Sequence, residues 1–217
     1  MTRTKKTTPI RNRRARGRLR LMGSFLACVL AGAACLLVFR WMIVPSDTGR
    51  YKGRTAAEWI ELLGGSDIGL RTEAAQRLDE MGDRALPRLG YALRDPDIKI
   101  RRGAVMVLYE VSPERPSAAE HLARALKDPD RWVRWRAAKG LRRMGPAAKP
   151  AVLKLAGALG DDDPRVRLVA AQALGRIGQG AIMAHPALIE AMSDSEYYVR
   201  QAASAAISRV APGIVAQ

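Results

Sequence analysis

Thiols, imidazoles and aromatic rings are scarce in this sequence: two Cys, two His and only 5% Phe, Trp and Tyr among 217 residues. Both cysteines, Cys28 and Cys35, lie in one apolar stretch near the N-terminus. The rest of the chain therefore has no thiol for a disulfide, a thiolate-metal site or a nucleophile. That absence suits an oxidising compartment as well as a reducing one. His121 and His185 occupy unrelated positions, and neither has a neighbour that suggests ligation. No catalytic constellation of converging His, Cys or carboxylate groups is present, so the expectation is a protein without enzymatic activity, metal or cofactor. With 48% hydrophobic residues and so few rings, the core has to be filled by small aliphatic side chains, as in helix-rich proteins built on Ala and Leu.

Acidic residues are missing from the N-terminal segment, where nine of the 37 Lys and Arg residues crowd between Arg3 and Arg20. From Trp41 onward 27 basic residues face 21 acidic ones, so the formal charge of +16 belongs mostly to the tail and does not mark the body as nucleic-acid binding. Leu21 to Phe39 is free of charge and proline and reaches roughly 28 Å as a helix, close to the thickness of a bilayer core. Arg40 and Trp41 suit a membrane boundary, Met42 to Val44 extend the apolar run, and Pro45 ends it. The expectation is a basic cytoplasmic tail (1–20), a transmembrane signal-anchor helix (21–44) and a linker (45–54). By the positive-inside rule the chain crosses a bacterial inner membrane once, with the remainder extracytoplasmic. The tail then serves topology and contact with anionic lipid. Secretion after signal cleavage is the alternative, since Ala31-Gly32-Ala33-Ala34 offers small residues and Cys35 suggests a lipobox. The run through Leu36 to Phe39, and Gly32 where a lipobox wants Leu, argue against it.

What the body has in abundance is repetition. An apolar-Arg pair recurs as Leu70-Arg71, Ile100-Arg101, Val133-Arg134, Val166-Arg167 and Val199-Arg200, at steps of 30, 33, 33 and 33. Three residues after each Arg stands Ala (Ala74, Ala104, Ala137, Ala170, Ala203), and seven after it Leu78, Leu108, Leu141, Leu174 or Ile207. These offsets line one side of a helix, with Ala where another helix approaches closely. Starts are marked by Asp95-Pro96, Asp128-Pro129 and Asp163-Pro164, with Asp as cap and Pro in the first turn. Stops fall at Gly82, Gly145 and Gly178. Further helices follow from near Ala85, Ala118, Ala147 and Ala181 to Leu93, Leu126, Leu159 and Met192. Thr55 and Glu58 form a capping box that opens the first helix. The count is five helical hairpins.

Period, start signals and the Ala-rich second helix resemble HEAT repeats, in particular the short prokaryotic kind also seen in phycobilisome-lyase-like proteins. The resemblance covers 55–211, with repeats at about 55–82, 83–112, 113–145, 146–178 and 179–211 and a C-terminal tail at 212–217. It implies an all-α superhelix preceded by the one transmembrane helix. It also implies a hydrogen-bonded ladder between neighbouring repeats, made by Asp95 and Arg101, Asp128 and Arg134, Asp161 and Arg167, and Asp194 and Arg200, each pair six residues apart. Gly65 stands where Arg71 would have its Asp, and the run Asp161 to Asp163 leaves open which acid joins the ladder. Tyr51 to Thr55 with Glu58-Trp59 resembles the lead-in of many anchored bacterial HEAT proteins.

Stacked hairpins present their second helices on a concave side. On a helical wheel, offsets +1, +5 and +8 from each repeat Arg point away from the core. In the middle repeats these rows bring together Arg102, Met106, Tyr109, Trp135, Lys139, Arg142 and Leu168, and the +8 row continues through Gly175 to Ser208. Aromatic and aliphatic groups beside cations are the composition of binding hot spots. The expected function is a membrane-tethered scaffold or adaptor that holds a protein partner on this face, although a solvated, mildly basic face accounts for the same residues. Two other readings stand beside it. HEAT-like DNA-repair glycosylases also carry a basic concave face with Trp, and Arg131, Arg134, Arg136, Lys139, Arg142 and Arg143 share one helix here; acids at Asp79, Glu80 and Glu110 weigh against nucleic acid. A chaperone-like subunit in cofactor attachment follows by analogy with the lyase-like relatives.

Overall fold

The body's 33-residue period builds one helical hairpin per repeat. In the computed structural model, which describes residues 49–113 and 115–213, ten α-helices form five pairs, each a short helix followed by a long one. They are α1 (Ala56–Leu63) with α2 (Ile68–Met81), α3 (Leu86–Ala92) with α4 (Ile98–Val111), α5 (Ala118–Ala125) with α6 (Arg131–Met144), α7 (Val152–Ala158) with α8 (Pro164–Ile177), and α9 (His185–Ala191) with α10 (Tyr197–Val210). Turns of 3-10 helix at Gly145–Ala151 and Gly178–Ala184 precede α7 and α9, so these two helices start later than the apolar pattern alone indicates. The expected tail, anchor and start of the linker, and residues 214–217, lie outside the described residues. Among the described residues no helix is long and apolar enough to cross a membrane.

The long helices pack side by side in one layer and the short helices in a second. Between the layers run two rows of buried leucine, Leu78, Leu108, Leu141 and Leu174 from the long helices and Leu89, Leu122, Leu155 and Leu188 from the short ones. The alanine at +3 is fully buried in all five repeats. Its small side chain lets the layers close, as the sequence pattern predicts. At one place even a methyl group is too large: a Cβ at Gly103 would lie 2.5 Å from Leu63 Cβ, so α4 reaches α1 only because residue 103 is glycine.

The helix ends explain why the repeats register. Gly82, Gly145 and Gly178 adopt φ of 62°, 55° and 70°, a conformation that glycine adopts without strain, and turn the chain out of α2, α6 and α8. Helix α4 lacks such a glycine. Ser112 ends it instead, its Oγ donating to the carbonyls of Tyr109 and Gly140. The capping box at Thr55 and Glu58 is formed in both directions. The caps of the long helices differ from the expected ones. Asp163 does cap α8, with Pro164 in its first turn, but α4 and α6 are capped by Asp97 and Asp130, two residues beyond Asp95 and Asp128. The Pro of each Asp-Pro pair therefore precedes the cap in those repeats.

The displaced aspartates serve the ladder instead. Each of Asp95, Asp128, Asp161 and Asp194 accepts from the backbone N–H two residues ahead, which fixes its carboxylate. The repeat Arg six residues later donates Nη1 to the backbone carbonyl of that Asp, at 2.7–2.9 Å in four repeats. Its Nε and Nη2 turn to the next repeat, joining Arg101 to Asp128, Arg134 to Asp161 and Arg167 to Asp194 with Nε–O distances of 3.0, 2.7 and 2.7 Å. Among the three acids of the fourth repeat, Asp161 joins the ladder and Asp163 caps the helix. Arg71 uses the Gly65 carbonyl, for which no Asp is needed.

These bonds set the response to acid. Arg167 holds the Asp194 carboxyl below its ordinary range, and the Arg165 guanidinium brings Asp163 down from 3.8 to about 2. A carboxyl with a lower pKa folded than unfolded contributes stability that is complete above the unfolded value and is lost as pH falls through the folded one. Glu80, held by Arg77, is likewise lowered from 4.5 to about 2, so the melting temperature, followed by circular dichroism, should be steady down to about pH 5 and fall progressively below it towards about 2. Asp163→Asn should remove part of that acid-dependent loss while lowering stability at pH 7.

Candidate functional site

The seven residues singled out from sequence do meet on α4, α6 and α8, but only Arg102 among them is exposed; Met106, Tyr109, Trp135, Lys139, Arg142 and Leu168 are half-buried. The outer members of the same rows, such as Thr72, Gln76, Gln201 and Ser208, are exposed as the wheel predicts. Gly175 is not. It is buried, and a Cβ there would sit 3.0 Å from Ala206 Cα, because α10 crosses α8 at that point.

The middle of the face is tighter because its long side chains lie over one another. Trp132 and Trp135, on successive turns of α6, pack their rings against the core. The Arg136 guanidinium lies 4.6 Å from the Tyr109 ring centre, 5.2 Å from Trp132 and 5.5 Å from Trp135. Lys139 Nζ is 4.4 Å from Trp135, and Arg143 is 4.4 Å from Tyr109. The outward stripe of α6 thus runs Trp132, Arg136, Lys139, Arg143, at spacings of four, three and four. The wheel centred on +1, +5 and +8 missed Trp132, Arg136 and Arg143, although that spacing is itself a helical stripe and was visible in the sequence.

The cations differ in how far they are committed. Arg102 grips Asp130, the cap of α6, through Nε and Nη2 at 3.1 and 2.8 Å, and holds the Asp130 carboxyl below its usual range. Arg142 donates to Gln172 Oε1 at 2.7 Å, and Arg143 to Glu110 and to the Tyr109 carbonyl. Arg134 belongs to the ladder. Arg136 and Lys139 have no carboxylate partner among the described residues, and Arg136 Nε is buried without a hydrogen bond. The run of cations that favours a nucleic-acid reading therefore divides, most of it engaged within the protein.

Chemically, the aromatic faces are already covered by the protein's own cations, so a cationic ligand finds no free ring. The groups left for a ligand are the donors of Arg136 and Lys139, on a rigid platform with Met106 and Leu168 at its margin. They suit a carboxylate or another anion. Neither histidine joins this region. His121 is pressed against Gly90 with its Nδ1 unbonded, and burial pushes its pKa down. His185 opens α9. Among the described residues no group of three His, Cys, Asp or Glu could hold a metal ion.

The HEAT-repeat family profile matches residues 56–142 and 119–208. The comparison with curated proteins gives no match. Among solved structures, the complex of CpcE and CpcF of phycocyanin lyase from Nostoc sp. PCC7120 is similar at 25% identity and a TM-score of 0.54, covering 70% of this chain and 96% of that one. A designed armadillo repeat protein in complex with the peptide (KR)4 is similar at 18% identity and 0.54, covering 71% and 81%. An engineered protein reaches 21% identity and 0.54, covering 73% and 80%. These likenesses establish an all-α repeat solenoid.

If the rings carry the packing and Arg136 is spare, the two kinds of residue should separate in urea unfolding. Trp132→Ala should cost about 2 kcal/mol, below the value for a fully buried ring. Arg136→Leu should cost under about 1 kcal/mol, since it loses only partly exposed cation–π contact and removes an unbonded buried N–H.

Proposed function

The chain belongs to the HEAT-repeat family, and from that premise we propose that it is a membrane-tethered scaffold or adaptor, not an enzyme, that holds an acidic segment of a protein partner on the concave face lined by its long helices. The observation that carries this reading is the pair Arg136 and Lys139, two cations without carboxylate partners among the described residues, seated on an aromatic platform in the middle of the solenoid. A preordered cation adds affinity because little side-chain freedom is lost on binding. Trp135, Trp132 and Tyr109 supply buried area, Met106 and Leu168 an apolar margin, and Arg102 and Arg142 brace neighbouring helices.

The family's solenoids bind along such faces. The armadillo neighbour is complexed with a Lys-Arg peptide, and the opposite sign of this face calls for the opposite sign of ligand. The tether is assigned to residues 21–44, with the basic tail inside and the repeats outside. A body on the far side of the membrane meets acidic protein segments more readily than nucleic acid.

Intact spheroplasts treated with a membrane-impermeant crosslinker test surface and orientation together. The wild-type chain should capture a protein partner. Arg136→Glu with Lys139→Glu should reduce its recovery by about tenfold or more, the loss expected when charge pairing is reversed. Equal recovery by the double variant, no crosslinking from outside, or release of the captured material by nuclease would overturn the proposal.

A further inference from the structure

At the last three junctions between repeats one side chain reaches forward. Arg101, Arg134 and Arg167 keep Nη1 on their own loop carbonyl and offer the Nε–Nη2 edge to the carboxylate of the following repeat. Arg200 holds the same pose, Nη1 at 2.7 Å from the Asp194 carbonyl and 2.9 Å from that of Ser195. Its Nε–Nη2 edge meets no carboxylate among the described residues. A guanidinium fork held in place this way selects a planar carboxylate.

The surface around that fork is apolar where inner junctions are covered. Leu126 and Leu159, each two residues before a ladder Asp, are 5% and 7% exposed; Met192, in the same register before Asp194, is 45% exposed. Ala123 is 5% exposed and its counterpart Ile189 51%. The fifth repeat therefore leaves open apolar groups as large as, or larger than, those that inner repeats bury at the same places. On the long helix, Val105, Ala138 and Ala171 are fully buried between repeats, and the matching Ser204 is exposed with small neighbours Ala205 and Ser208. These leave the backbone of α10 open to close approach.

The opposite end is closed. Trp59 donates Nε1 to the Tyr51 carbonyl at 3.2 Å, Arg54 lies 4.9 Å over its ring, and Tyr51 Oη and Lys52 Nζ both hold Glu80. The first repeat also has Gly65 in the ladder position. A second copy stacked head to tail would bring Arg200 a capped end with no carboxylate at the ladder position.

We infer that the C-terminal end of the solenoid docks a helical hairpin of another protein, with a short helix laid on Ile189 and Met192 and an acidic turn after it in the fork of Arg200. The junctions within the chain define the expected signature, an apolar residue two before an Asp, as in Leu126-Lys127-Asp128 and Leu159-Gly160-Asp161.

A photo-crosslinking amino acid placed at position 192 of the full chain in its native membrane tests this. The product should map, by mass spectrometry, to a helix just before such an acidic turn in another protein. Arg200→Glu should lower its yield by about tenfold or more, as reversing one partner of a charge-assisted pair does, and Asp→Arg in the captured turn should restore it. Arg136→Glu with Lys139→Glu should leave the yield unchanged, which separates this site from the long-helix face. Crosslinks only to residues 214–217, to a second copy or to lipid, no product at all, or a yield unaffected by Arg200→Glu would overturn the inference.

Discussion

A guanidinium that faces two ways joins each inner repeat to the next. One edge is spent on a carbonyl of its own loop, which fixes the side chain and the loop together, and the other edge takes a carboxylate 27 residues ahead. The pairs are largely buried, and both charges are held by further bonds, the Arg by its carbonyl and the Asp by a backbone N–H. This is the condition under which a buried ion pair repays its desolvation, and the reason that removing one partner from such a pair costs several kcal/mol. Leucine and alanine rows supply most of the burial, but they are slippery: a stripe of similar aliphatic groups tolerates small rotations and slides. The ladder is directional and admits one register.

The rest of the architecture follows from that constraint. With the first Asp of the loop taken by the ladder, a second Asp two residues later caps the helix in repeats two to four, which therefore carry Asp-Pro-Asp or a run of acids; in the fifth repeat Glu196 stands at the cap without a side-chain bond. With the register fixed, glycine is tolerated or required at points of close approach such as Gly103 and Gly175. The face of the long helices is then rigid enough to hold three aromatic rings and their cations in one cluster.

Much of this was legible in the sequence because it repeats. Five occurrences of apolar-Arg, Ala at +3 and Leu or Ile at +7 are enough to place the hairpins, and the ladder residues could be named once the family resemblance was seen. The helix caps were misplaced at Asp95 and Asp128 because one aspartate looks like another until its partner is known, and here the competing partner lies a full repeat away. The candidate face was half legible for a similar reason. A helical wheel treats α6 as isolated, whereas Arg136 is held over the rings of Trp132 and Trp135 and over that of Tyr109 on the neighbouring α4. Sequence also showed six cations on one helix without showing that Arg134, Arg142 and Arg143 have polar partners, while Arg136 and Lys139 meet only aromatic rings among the described residues.

The central claim is that the forward edge of each ladder arginine couples adjacent repeats. A double-mutant cycle on Arg134→Ala and Asp161→Ala, measured by equilibrium urea unfolding, addresses it directly. The account predicts a coupling of about 1.5 kcal/mol or more for this pair, and additivity within about 0.5 kcal/mol for the non-adjacent pair Arg101→Ala and Asp161→Ala. Additivity of Arg134→Ala and Asp161→Ala to the same margin would contradict it.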